Sequence, residues 1–259
     1  RLQIVYGIDG REDLREEILP HLDGYAGSRP VRIGNAAFNQ RQLDVFGQVI
    51  DAAHYCATHM RQPHPPLWNM LAFLADRISE LWREPDQGIW EERKEPQHYF
   101  YSKLLCWVGL DRALLLADAG GLAGDIDGWR SCRDAVRDAL LNDGYNPAVG
   151  AFTRVLGGER LDAATLAIPL VGFLPATDPR VVSTVERIIE RLSANGLVYR
   201  YRDDDGLPGG EATFLLCGFW LVENLALQGR DGEARQWFDG LAAYANDVGL
   251  LSDEADPQR

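Results

Sequence analysis

In Asp86-Gln87-Gly88-Ile89-Trp90-Glu91-Glu92 a tryptophan is followed directly by two carboxylates, in a glycine-containing turn just ahead of an apolar helical run. An aromatic face can stack on a pyranose ring, and a carboxylic acid can protonate a glycosidic oxygen, so these residue types suit the cleavage of a sugar. A general acid must hold its proton near neutral pH. A like-charged neighbour and an apolar wall are the usual means, and Glu92 and Trp90 flank Glu91 in the chain. On spacing alone the plainer reading is a glutamate-rich helix start, which the helix dipole favours.

Three further clusters carry comparable groups. Ser252-Asp253-Glu254-Ala255-Asp256 follows the turn Asn246-Asp247-Val248-Gly249 and offers a distant second acid. An inverting glycosidase requires one, because a water must fit between its two carboxyls; an acidic surface loop is the simpler account. Tyr199-Arg200-Tyr201-Arg202-Asp203-Asp204-Asp205-Gly206, running on to Glu211, sets tyrosines and a carboxylate-paired arginine where several sugar hydroxyls could be held. A solvated acidic turn explains it equally well, and the ligand spacing of a calcium loop is not met. Arg29-Pro30-Val31-Arg32-Ile33-Gly34-Asn35 runs into a helix with Asn35 placed as its N-cap. Capping does not explain the two arginines and the glycine before it.

Other chemistries lack their patterns. The histidines (His21, His54, His59, His64, His98) form no HExxH, and no GxSxG, P-loop or GxGxxG is present. No cofactor or metal is therefore expected. The charge of −13 argues against nucleic acid or an anionic membrane as partner and fits a small neutral carbohydrate. No apolar run approaches the roughly 20 residues that span a bilayer. Cys56, Cys106, Cys132 and Cys217 lie far apart in apolar helical contexts, so buried free thiols and a cytoplasmic location are expected.

The elements that must position these clusters are helices. Apolar residues recur at helical spacing over 35–60, 67–82, 98–119, 127–141, 162–172, 179–194, 211–228 and 232–245, while strand alternation is scarce. Helices arriving in pairs, with aromatic and carboxylate residues gathered in the longer loops, predict an all-α toroid rather than an open solenoid, which would repeat a consensus. The chain opens on Arg1-Leu2-Gln3-Ile4-Val5-Tyr6 and closes on Asp256-Pro257-Gln258-Arg259, and it reads as an internal fragment of a longer protein.

Taken in order, several segments resemble the catalytic domain of glycoside hydrolase family 15, the glucoamylase and bacterial trehalase family. They are Tyr6-Gly7-Ile8-Asp9-Gly10, Gly24 to Ala37, Gly88-Ile89-Trp90-Glu91, Ser102 to Trp107, Pro169 to Pro175, Gly196 to Tyr201 and Asn246 to Leu251. The resemblance spans nearly the whole chain. It implies an (α/α)6 toroid incomplete at both ends, with 1–259 a partial catalytic domain and a β-sandwich domain and terminal barrel helices lying outside it. It implies inverting hydrolysis of α-glucosides at a non-reducing glucose, by a parent protein of which this portion alone is inactive. By position Glu91 is the implied general acid, with Trp90 and Glu92 lining the glucose subsite and Arg200 and Asp204 holding sugar hydroxyls. Arg32 and Asn35 belong to the implied substrate-binding set. The base falls in Ser252-Asp253-Glu254, where the usual Glu-Glu or Glu-Gln pair is absent; Glu254 is expected, with Asp253 the alternative. Trehalose, maltooligosaccharides and isomaltooligosaccharides all present the required glucose. The rival reading is a non-catalytic helical toroid that binds carbohydrate or protein. Carboxyls about 6.5–9.5 Å apart across an aromatic-lined pocket distinguish the inverting enzyme from it.

Overall fold

Runs of helical periodicity in this chain stop where a glycine, a proline or a capping aspartate interrupts them. The computed structural model, which describes residues 2–59, 65–119, 123–202 and 211–257, follows that punctuation. Ahead of the first helix, β1 (Glu17–Ile18) pairs antiparallel with β2 (Arg32–Ile33), Glu17 opposite Ile33. Asn35 then caps a 3-10 turn over Ala36–Asn39, its side-chain oxygen accepting from the Ala37 N–H at 2.8 Å. The helix predicted from residue 35 therefore begins later, at α1 (Asp44–His59), because Gln40 is extended (φ −61°, ψ 153°) and breaks the run.

Next come α2 (Pro65–Leu81), α3 (Phe100–Asp118) and α4 (Ile126–Asp143), the last capped by Asp125, which accepts from the Gly128 N–H at 3.0 Å. A short hairpin of β3 (Tyr145–Asn146) and β4 (Ala151–Phe152) leads to a 3-10 turn at Ala163–Leu166 and then to α5 (Ala167–Leu170). The single helix predicted over 162–172 is thus a 3-10 turn joined to one α-turn, ended by Gly172 at φ +75°. The helix α6 (Pro179–Leu192) starts on Pro179, where a missing N–H costs nothing. Behind it are β5 (Ser193–Ala194) and β6 (Leu197–Val198). β7 (Thr213–Phe214) precedes α7 (Leu215–Leu227) and α8 (Asp231–Ala242), and β8 (Glu254–Ala255) returns to pair antiparallel with β7, Phe214 opposite Glu254.

Helix α3 is the inner element. It buries Phe100, Leu104, Leu105, Trp107, Val108, Leu110 and Leu114, residues on all sides, as a helix enclosed by its neighbours must. It meets α1 almost backbone to backbone: a Cβ on Gly47 would lie 1.9 Å from the Leu105 carbonyl oxygen, and one on Gly109 3.0 Å from the Gly47 Cα. A second core, of Leu161, Leu166, Val185, Ile188, Leu221 and Leu225, joins α6 to α7. Fully burying each such side chain contributes about 1.5–3 kcal/mol. Cys106 and Cys217 are buried free thiols as predicted, Cys132 is half-buried, and Cys56 departs from expectation by facing outward on α1. No helix among the described residues is long and apolar enough to cross a membrane.

Candidate active site

Two glutamates after a tryptophan need not cap a helix, and here they do not: α3 begins only at Phe100, so Glu91 and Glu92 lie in the preceding turn. Gly88 makes that turn possible, at φ +70° with a position where a Cβ would fall 2.8 Å from the Tyr99 ring. Asp86 anchors its start, exchanging backbone bonds with Gln97 at 3.0 and 2.8 Å and accepting the Leu43 N–H at 2.9 Å. Lys103 donates to the Glu84 carbonyl at 2.5 Å. At the other end the Gln40 side chain donates to the carbonyls of both Glu91 and Glu92, at 3.2 and 3.1 Å. Glu91 itself is exposed and sits at φ +55°, a left-handed conformation that costs a non-glycine residue about 1–3 kcal/mol and persists only when its surroundings enforce it.

Those surroundings are a buried network on either side of Glu91. The Trp90 indole N–H donates to Asp162, 2.9 Å from one oxygen and 3.1 Å from the other. Glu92 forms an ion pair with the Arg154 guanidinium, and Arg154 Nε lies 3.6 Å from Asp162. Glu92, Arg154 and Asp162 are 7%, 6% and 4% exposed. Tyr201 stacks on Arg154, the guanidinium carbon 3.8 Å from its ring centre. Burial pushes the Asp162 carboxyl up to about 6 even though the neighbouring Arg154 and the Ala164 N–H pull it down. Expected as a bare like charge beside Glu91, Glu92 instead has its charge answered by Arg154.

Arg200 joins the turn to the C-terminal carboxylates. Its Nε donates to Glu211 at 2.6 Å and its terminal nitrogen is 3.4 Å from Glu254, while its guanidinium carbon is 5.6 Å from the Trp90 ring centre and 5.3 Å from that of Phe214. Glu254 reaches this position because β8 pairs with β7. Asp253 is exposed, its backbone carbonyl accepting the Leu215 N–H at 3.1 Å. Around Trp90 stands an aromatic wall: Phe214 edge-on at 5.5 Å and Trp220 at 6.3 Å, with Tyr101 stacked on Trp220 at 6.5 Å. Arg32 shares Glu16 with Arg93, at 3.1 and 2.9 Å, so β2 stands beside the end of the turn. The Arg93 hydrogen bond holds Glu16 below the usual carboxylate range. Asn35 uses its side-chain oxygen as a cap. Asp204 and the Asp203–Asp205 run lie outside the described residues.

The structure thus brings Trp90, Glu91, Glu92, Arg200 and Glu254 into one neighbourhood. It adds Gln40, Arg154, Asp162 and Trp220, to which the sequence attached no role, and makes Glu211, the end of the third cluster, the partner of Arg200. Asp162 was visible only as a helix start, since an aspartate before Ala163-Ala164-Thr165-Leu166 is a cap signal. Nothing local marks the others.

Residues 1–256 match the family described as Glycosyl hydrolases family 15. A trehalase of Mycobacterium tuberculosis is 43% identical over 260 residues, covering 99% of this chain and 38% of that protein. A trehalase of Thermoplasma volcanium is 38% identical over 257 residues, covering 99% of this chain and 41% of that protein. The chain therefore spans well under half the length of these relatives. Among solved structures, a wild-type glycosidase superposes with a TM-score of 0.75 at 20% identity, over 88% of this chain and 62% of that one. A bacterial glucoamylase complexed with acarbose gives 0.67 at 17% identity, over 83% and 37%. The likeness to solved structures bears on the fold, which is that of an (α/α)6 toroid.

Proposed function

Because this chain belongs to glycosyl hydrolases family 15, we propose that the full-length protein hydrolyses α-glucosidic bonds with inversion, releasing glucose from a non-reducing end, and that trehalose is its substrate. Glu91 gives its proton to the glycosidic oxygen as the bond from C1 to that oxygen breaks. Trp90 and its aromatic neighbours receive the face of the sugar ring, and Arg200 holds its hydroxyls. Glu254, with Asp253 the alternative, takes a proton from a water that attacks C1 from the opposite face, so an α-linkage yields β-glucose. Trehalose is preferred over maltooligosaccharides because relatives 43% and 38% identical over 99% of this chain are named trehalases.

The observation that carries this reading is the position of Arg200, ion-paired to Glu254 while lying beside the Trp90 ring that adjoins Glu91. Two carboxylate segments distant in sequence converge on one cation and one aromatic face. A binding module would use that face and cation, but it has no need of an exposed carboxyl held at a left-handed φ next to them. The test is Glu91→Gln in the full-length protein, assayed by glucose release from trehalose. Removing a general acid lowers kcat by about 10²–10⁴-fold, with an unchanged melting temperature. Wild-type turnover in this variant rules the reading out.

A further inference from the structure

Glu91 is the one member of Trp90-Glu91-Glu92 whose side chain is not taken up by the buried network. On one side of it the Trp90 indole N–H is spent on both oxygens of Asp162. On the other the Glu92 carboxylate is spent on Arg154. The two partners meet at 3.6 Å, so the network closes into a loop that grips the chain immediately before and after Glu91. Neither partner comes from the turn itself. Asp162 is fixed independently as the cap of the 3-10 turn Ala163–Leu166, accepting the Ala164 N–H at 2.8 Å, and Arg154 is stacked on Tyr201.

Resting on the reading of Glu91 as proton donor, we propose that Asp162 and Arg154 are positioning residues for that acid. They touch no reacting atom; by clamping Trp90 and Glu92 they hold Glu91 in its left-handed conformation and fix where its carboxyl is presented. A proton donor displaced by about 1 Å can lose on the order of 10²-fold in rate. A substrate whose leaving group needs no proton is indifferent to that displacement. The proposal therefore predicts a split between leaving groups, which a merely structural role does not produce.

The experiment compares trehalose with α-D-glucosyl fluoride, whose fluoride departs without protonation, in the full-length protein carrying Asp162→Asn, Asp162→Ala or Arg154→Lys. For Asp162→Asn, kcat on trehalose is expected to fall about 10–100-fold with KM and fluoride turnover within about threefold of wild type. Asp162→Ala, which leaves the indole N–H without an acceptor, is expected to fall further, and Asn is thus a partial rescue. Arg154→Lys keeps the charge but loses the planar guanidinium that meets both Glu92 and Asp162, and it gives the same split if the aspartate variants do not fold. Parallel losses on both substrates, or unchanged trehalose turnover, overturn the proposal. Glu91→Gln separates the two failures. If it shows the split and Asp162→Asn does not, the clamp alone is wrong; if it keeps trehalose turnover, the acid assignment is wrong and the clamp has nothing to position.

Discussion

The guanidinium of Arg200 lies 3.4 Å from Glu254 and ties the loop after β6 to the strand β8. Glu211 holds the same guanidinium through Nε at 2.6 Å, so Arg200 is shared between two carboxylates and cannot follow either one freely.

We propose Glu254 rather than Asp253 as the base on the strength of this ion pair. Both side chains are exposed, but Glu254 is ion-paired to Arg200, whereas Asp253 offers its backbone carbonyl to Leu215. Removing the base of an inverting enzyme leaves room for a small nucleophile in place of the activated water. In the full-length protein Glu254→Ala is expected to lose about 10²–10⁴-fold in trehalose turnover. Azide is expected to restore cleavage of α-D-glucosyl fluoride, giving β-glucosyl azide. Rescue of Asp253→Ala and not of Glu254→Ala reverses the assignment.

Asp44, the first residue of α1, is buried and carries a carboxyl raised to about 7, chiefly by burial and then by the charge of nearby Asp86. Gln48 donates to it at 2.8 Å, Tyr101 faces it, and Lys103 acts on Asp86. The folded protein binds this proton more tightly than the unfolded chain, whose aspartate titrates near about 4. The stabilising term is therefore complete below about 4 and is lost as pH rises through about 7. Asp44→Asn keeps an acceptor for Gln48 and should flatten that slope and raise stability at pH 8. Urea midpoints at pH 5 and pH 8 check this; an unchanged difference between the two pH values in the variant contradicts it.

The crossing of α1 and α3 admits no side chain at Gly47. A Cβ there meets the Leu105 carbonyl at 1.9 Å, and a backbone atom cannot rotate away. Gly47→Ala is expected to destabilise by about 1–3 kcal/mol or more, read as a lowered melting temperature. Gly240, in α8, has nothing within 4 Å of its would-be Cβ. Gly240→Ala is expected to stabilise by about 0.4–1 kcal/mol through the unfolded chain's lost freedom. Equal effects at the two positions contradict the account.

Much of this architecture was legible in the sequence because helical periodicity is a local property. The runs that became α1, α3, α6 and α7 announce themselves by apolar spacing, and the errors lie at their ends. Residues 35–43 keep the helical pattern but pass through a 3-10 turn at Ala36–Asn39, and Thr213–Phe214 form β7, whose partner β8 arrives from far along the chain. The site divides in the same way. Trp90, Glu91 and Glu92 are contiguous and carry a recognisable chemical pattern. Arg154 stands in an unremarkable Phe-Thr-Arg-Val and gains its meaning only from Glu92, Asp162 and Tyr201, which reach it through folding. Gln40 is hidden for the same reason.

Gln40 spends one donor nitrogen on two consecutive carbonyls, those of Glu91 and Glu92. A peptide plane held in this way cannot flip without giving up its bond. Turning either plane over therefore costs the turn a hydrogen bond. If Glu91 acts as proposed, backbone bonds made during folding remove part of the reorganisation that a more mobile acid would require.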